Sequence, residues 1–89
     1  MQIKLTEPIE IADKKLETVE IKEIWNAGDF IDIQDAGKGE GSRCCRQVAI
    51  AIDVPDPVVR KLSIKDFTKI LEESSRFFTK STKKAKENT

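Results

Sequence analysis

The sequence predicts an α+β fold, an N-terminal antiparallel β-hairpin followed by three to four short helices packed on it. Three observations lead there. Apolar and polar residues alternate near the N-terminus, the period of a half-buried strand. From Ser63 onward, apolar residues recur at spacings of three and four, the period of an amphipathic helix. Between these stretches lie glycine, proline and aspartate clusters that mark turns and helix ends.

Ile3, Leu5, Ile9 and Ile11 occupy one face of the first strand, with Glu7 as the break in the pattern. Pro8 lacks a ladder donor, so the strand is expected at a sheet edge or interrupted in its middle. Ala12 to Lys15 reads as a turn. The run from Leu16 to Lys22 returns with Val19 and Ile21 alternating against charges. A hairpin alone is barely stable in water, so its Ile/Leu/Val face needs a helical cover.

Asn26-Ala27-Gly28-Asp29 is a turn signal, with Asp29 expected as the N-cap of a short helix ending near Ala36. In that reading Phe30, Ile31 and Ile33 face inward. Residues 37–41 form a glycine-rich loop, and Ser42 is placed to cap a helix over 43–53. Its apolar stripe runs through Cys44, Cys45, Val48, Ala49, Ala51 and Ile52, and it stops before Pro55. Asp56 and Pro57 open a short apolar turn through Val58, Val59 and Leu62. Ser63 to Asp66 resembles a capping box, and Ile64, Phe67, Ile70, Leu71, Phe77 and Phe78 form the stripe of the last helix. Ser74 and Ser75 read as a polar gap in it. The expected folded unit is 1–78, with a flexible basic tail over 79–89 that holds Lys80, Lys83, Lys84 and Lys86 against Glu87.

The chain of 89 residues is one small domain with a thin stability margin. Its 16 basic and 16 acidic residues cancel, which argues against a whole-chain electrostatic grip on nucleic acid. Histidine is absent, which removes the commonest general base and the commonest zinc ligand. No run approaches a membrane span, no secretory signal stands at the N-terminus, and the plain expectation is a cytosolic protein with reduced thiols.

The chemical candidates weigh toward their structural readings. Cys44 and Cys45 are adjacent, about 100° apart on a helix, and read as small buried hydrophobes. The 37–41 loop lacks the Gly-Lys-Ser/Thr ending of a phosphate loop. Asp29, Asp32 and Asp35 share a helix side, yet carry no calcium-loop spacing. Trp25 reads as core or boundary packing before it reads as a partner anchor. The lysine-rich end offers a weak, salt-sensitive attraction to nucleic acid, without a recognised reader motif. No nucleophile–base pair emerges, so no enzyme and no cofactor are expected.

The order of elements, the Ala27-Gly28-Asp29-Phe30 step, the Val54-Pro55 and Val58-Val59 pairs, and the Leu62-Ser63 to Asp66-Phe67 run resemble the tail assembly chaperone family of contractile-tailed, Mu-like bacteriophages and prophages. The likeness covers roughly 2–78. It departs at Ile24-Trp25-Asn26, where the family commonly has a Pro-Thr pair, and in its more glycine-rich 37–41 loop. The resemblance implies a non-enzymatic protein of the bacterial host cytoplasm, absent from the finished virion. It implies binding to the helical tape measure protein and recruitment of tail tube subunits, with a longer frameshifted product usual in such systems. The competing readings are a small nucleic-acid-associated regulator using the lysine tail and a structural tail subunit.

A shape-presenting role directs attention to apolar residues in excess of what one hairpin covers. Trp25, Val58, Val59, Phe77 and Phe78, with Lys80, Lys83 and Lys84, are the candidate partner contacts. Val58, Val59, Phe77 and Phe78 are expected to be partly exposed. Self-association through the last helix stays open, because Phe77 and Phe78 are adjacent and point in different directions.

Overall fold

Strands β1 (Gln2–Ile11) and β2 (Lys14–Glu20) form the expected antiparallel hairpin in the computed structural model, which describes residues 1–87, with side chains through Thr79. Ala12 and Asp13 alone connect them, with φ of 42° and 67°. Positive φ at both central residues is the geometry whose twist matches a hairpin. The ladder is regular at both ends, where Ile3 faces Val19 and Ile9 faces Leu16. Between Lys4 and Ile9 it breaks: Leu5 to Pro8 stand opposite Glu17 alone. Pro8 lies inside this bulge, so its missing N–H disrupts no ladder bond. Leu5, Ile9, Val19 and Ile21 form the buried face.

Helix α1 (Ala27–Gln34) starts earlier than expected, because Asn26 and not Asp29 is its N-cap. The Asn26 side chain accepts from the Asp29 N–H at 3.0 Å, and Asp29 Oδ2 accepts from the Asn26 N–H at 3.0 Å. That reciprocal box satisfies two exposed amides at once. At about 100° per residue, Phe30, Ile31 and Ile33 cannot all share one face. Ile33 is buried, while Phe30 and Ile31 turn outward, which corrects the inward placement of those two residues.

Helix α2 (Glu40–Ile52) also starts early, at a Gly39 N-cap that makes no side-chain cap bond. Ser42 therefore sits inside the first turn and is not the cap. A Cβ on Gly37 would meet Ser42 Cβ at 2.9 Å, so the incoming chain can pass this close only as glycine. Val48, Ala49, Ala51 and Ile52 are buried, and the helix packs against α1, β2 and two later helices. It ends at Asp53 in the left-handed conformation, with Val54 N–H reaching the Ala49 carbonyl.

Helix α3 (Asp56–Val59) is a single turn capped by Pro55, with Pro57 in its first turn. Helix α4 (Ile64–Glu87) packs on α2 and β1. Ser63 Oγ accepts from the Asp66 N–H at 3.1 Å, the expected cap. Three helices are short as expected; the fourth has 24 residues. The expected domain end at 78 falls inside its backbone, and the basic side chains from Lys80 onward lie outside the described residues. Of the polar gap, Ser75 is exposed and Ser74 is fully buried: its Oγ donates to the Leu71 carbonyl and accepts from Gln47 Nε2, both at 2.9 Å. Gln47 also reaches Ser75 Oγ at 2.9 Å, tying α2 to α4. Among the described residues, no buried side-chain nitrogen or oxygen lacks a partner.

Candidate partner-binding surface

The reactive candidates are held in structural roles. Asp29 is engaged by the Asn26 amide and by Lys22 Nζ at 2.8 Å. Burial pushes its carboxyl up, but the Lys22 hydrogen bond, the Asn26 amide and the Lys22 charge outweigh it and hold the group below its ordinary value. Asp32 and Asp35 are exposed, and no group of three metal-ligating side chains forms among the described residues. Cys45 is half-buried, its thiol pushed up by burial and by the Asp56 charge despite Arg60 and Arg46 nearby. A raised pKa leaves little thiolate at neutral pH, which suits packing and not attack. Asp56 itself is bridged to Arg46 at 3.3 Å.

One buried carboxylate joins distant parts of the chain. Asp66 accepts from Thr6 N–H at 3.0 Å, Thr6 Oγ1 at 3.0 Å and Glu7 N–H at 3.2 Å. Burial pushes its carboxyl up, yet the Thr6 and Glu7 amides, the Thr6 hydroxyl and Ser63 more than offset this. The bulge in β1 thus turns two unpaired amides onto the start of α4, and sets the angle between hairpin and helix.

Among the described residues, two open surfaces gather several apolar side chains. The first is a groove of about 460 Å³ between the start of α2, α3 and the start of α4. Val59, Leu62, Phe67 and Cys45 line it, Ile64 stands on its lip at 76 % exposure, and Arg60 is its one charged lining residue. The second is a smaller hollow of about 210 Å³ where Phe30 and Phe78 meet with ring centroids 5.8 Å apart.

The sequence-predicted contacts divide between core and surface. Trp25 is buried, donates Nε1–H to the Lys22 carbonyl at 2.9 Å, and meets Phe78 edge-on at 6.1 Å. This is the core role that its reading favoured. Val58 and Val59 are 8 % and 3 % exposed, which corrects the expectation of partial exposure. Their one-turn helix is wedged against α2, so neighbouring side chains are both covered. Phe77 and Phe78 are half-buried, as expected. Lys80, Lys83 and Lys84 have side chains outside the described residues.

Leu62, Ile64, Phe67 and Arg60 were not singled out as contacts. A signal for them existed in the width of the α4 stripe. At about 100° per residue, Ile70, Glu73 and Ser74 share one side with Asp66, while Ile64, Phe67 and Leu71 fall on its flank. Such an arc is broader than one core contact covers, and its flank emerges at the groove.

The model of the family described as phage tail assembly chaperone proteins, E, or 41 or 14, matches residues 2–79. The chain belongs to this family of tail assembly chaperones. No curated protein and no solved structure gives a significant match. The family is non-enzymatic, in keeping with the structural roles found for the acids and thiols above. Proteins of this family bind the tape measure protein during tail assembly. No described helix is long and apolar enough to cross a membrane.

Proposed function

We propose that this chaperone binds the tape measure protein and helps recruit tail tube subunits, in the host cytoplasm, during assembly of a contractile, Mu-like tail. The observation that carries the reading is the family match across residues 2–79. The structure is compatible with it: a small rigid body, chemically quiet, with open apolar ground bounded by helices. The Ala27-Gly28-Asp29 step and the Leu62-Ser63 to Asp66-Phe67 run support the Mu-like assignment. Phe77 and Phe78 remain proposed contacts, as do Lys80, Lys83 and Lys84 for acidic partner surface. Trp25 backs Phe78 edge-on from the core.

Co-expression of the tagged chaperone with the tape measure protein of the same genome tests the central step. Recovery of a complex, with the tape measure protein kept from aggregating, is expected. Mass spectrometry of purified particles adds a second check, since an assembly chaperone is missing there and a structural subunit is not. Failure of the tape measure protein to co-purify under any salt condition overturns the reading.

A further inference from the structure

We infer that the groove between α2, α3 and the start of α4 is where the chaperone holds its partner, and that the occupant is an amphipathic helix carrying a carboxylate beside its apolar face. This rests on the reading that the tape measure protein is the partner. It goes further by naming the surface and the chemistry that enters it.

Three features select this occupant. Every lining residue lies on a helix or on the α3–α4 connection, so no strand edge offers a ladder to an added strand. Helix-in-groove docking, which needs only side chains, is the mode left. The floor of Val59, Leu62 and Phe67 takes apolar anchors, and Ile64 at the lip extends that floor into solvent. Gly41 brings no side chain, and a Cβ added there meets nothing within 4 Å, so a partner can come close to the α2 backbone.

The charge is the third feature. Arg60 is exposed and forms no ion pair among the described residues, because Asp56, four residues before it, is bridged to Arg46. The start of α2, at Gly41 and Ser42, forms the facing wall without a side-chain cap at Gly39. Glu40 is the one acidic residue in that first turn and does not line the groove. A guanidinium in an otherwise uncharged apolar groove favours a carboxylate on the incoming helix, and Arg suits that pairing in bidentate geometry.

The hollow at Phe30 and Phe78 is the competitor. It is smaller, and no charged side chain lines it.

The test is capture of the co-expressed full-length tape measure protein by tagged variants of the full chain. Ile64 and Arg60 are exposed, so Ile64→Glu and Arg60→Glu should keep the thermal unfolding of the parent. Each is expected to lower capture about tenfold or more, as for a central anchor. Arg60→Lys should restore part of it. Ile24→Glu, at an 81 % exposed position that lines neither surface, should leave it unchanged. Parent binding should weaken as salt rises from about 0.05 M to about 0.5 M.

Normal capture by Ile64→Glu and Arg60→Glu overturns the groove while leaving the tape measure reading intact, and loss in Phe30→Glu would then give the partner to the hollow at Phe78. No capture by the parent chain overturns both. Sedimentation of the chaperone alone covers the remaining occupant. A dimer abolished by Ile64→Glu would give the groove to a second copy and overturn the inference.

Discussion

Helices α1 and α4 start with the same local device and put it to different use. Each has a capping side chain followed three residues later by a buried aspartate: Asn26 with Asp29, and Ser63 with Asp66. At α1 the carboxylate turns back to its own cap and takes Lys22 as a neighbour. At α4 the carboxylate stays beside its cap, Ser63, and also takes Thr6 and Glu7, about sixty residues away in the chain. One aspartate closes a helix end. The other fastens a helix to a sheet. A cap pattern therefore locates a helix start, but the use of its carboxylate depends on which unpaired amides the fold brings near.

The comparison is broken most strongly by Asp66→Ala. It strips the charged acceptor from two backbone amides and a hydroxyl, and is expected to destabilise the fold by about 3 kcal/mol in urea unfolding. Hydrogen exchange should show Thr6 and Glu7 losing protection while Asn26 stays protected. A loss below about 1 kcal/mol would mean that Asp66 is only another cap.

Asp29→Ala should cost about 1.5 kcal/mol, since it removes a cap partner and a partly exposed ion pair. Faster exchange is expected at Asn26 and at the start of α1, with Thr6 and Glu7 unchanged. Ser63→Ala should cost about 1 kcal/mol, with the Asp66–Thr6 link preserved. If Ser63→Ala also exposes the Thr6 amide, the cap and the tether are one unit and the contrast with α1 narrows.

The last effect is absent at neutral pH and emerges in acid. Both aspartates are held below their ordinary value in the fold. Each therefore stabilises fully above its unfolded pKa of about 4, and that contribution is lost as pH falls through the lower folded value. Asp66→Asn should flatten the acid limb of a stability–pH profile more than Asp29→Asn does. Equal flattening would show that the tether and the closed cap are electrostatically equivalent.

Much of this architecture was legible in one dimension. Alternation located both strands, Pro8 pointed to the interruption in β1, and Pro55 marked the end of α2. Helix starts were less legible. Asn26 and Asp29 are both good caps, as are Ser42 and a bare glycine, and only the packed angle of each helix selects among them. The candidate surface was legible in kind and misplaced in detail. Val58 and Val59 looked surplus to the core, but α2 covers them; Phe30 and Ile31 looked inward, but α1 buries Ile33 and leaves both of them exposed. Ile64 looked like one more core position and stands 76 % exposed on the groove lip.

What the sequence by itself determined is the order, type and approximate length of most elements and the resemblance to tail assembly chaperones, which the family match over residues 2–79 bears out. Those follow from residue type and short spacing, which act through local backbone preference and face-by-face burial. Tertiary structure alone decided which apolar residues stay open, which aspartate crosses the molecule, and that Arg60 forms no ion pair among the described residues. Such outcomes depend on neighbours far apart in the chain. Asp66 shows the reason: its partners are amides exposed by a strand bulge, and their availability exists only once hairpin and helix have met.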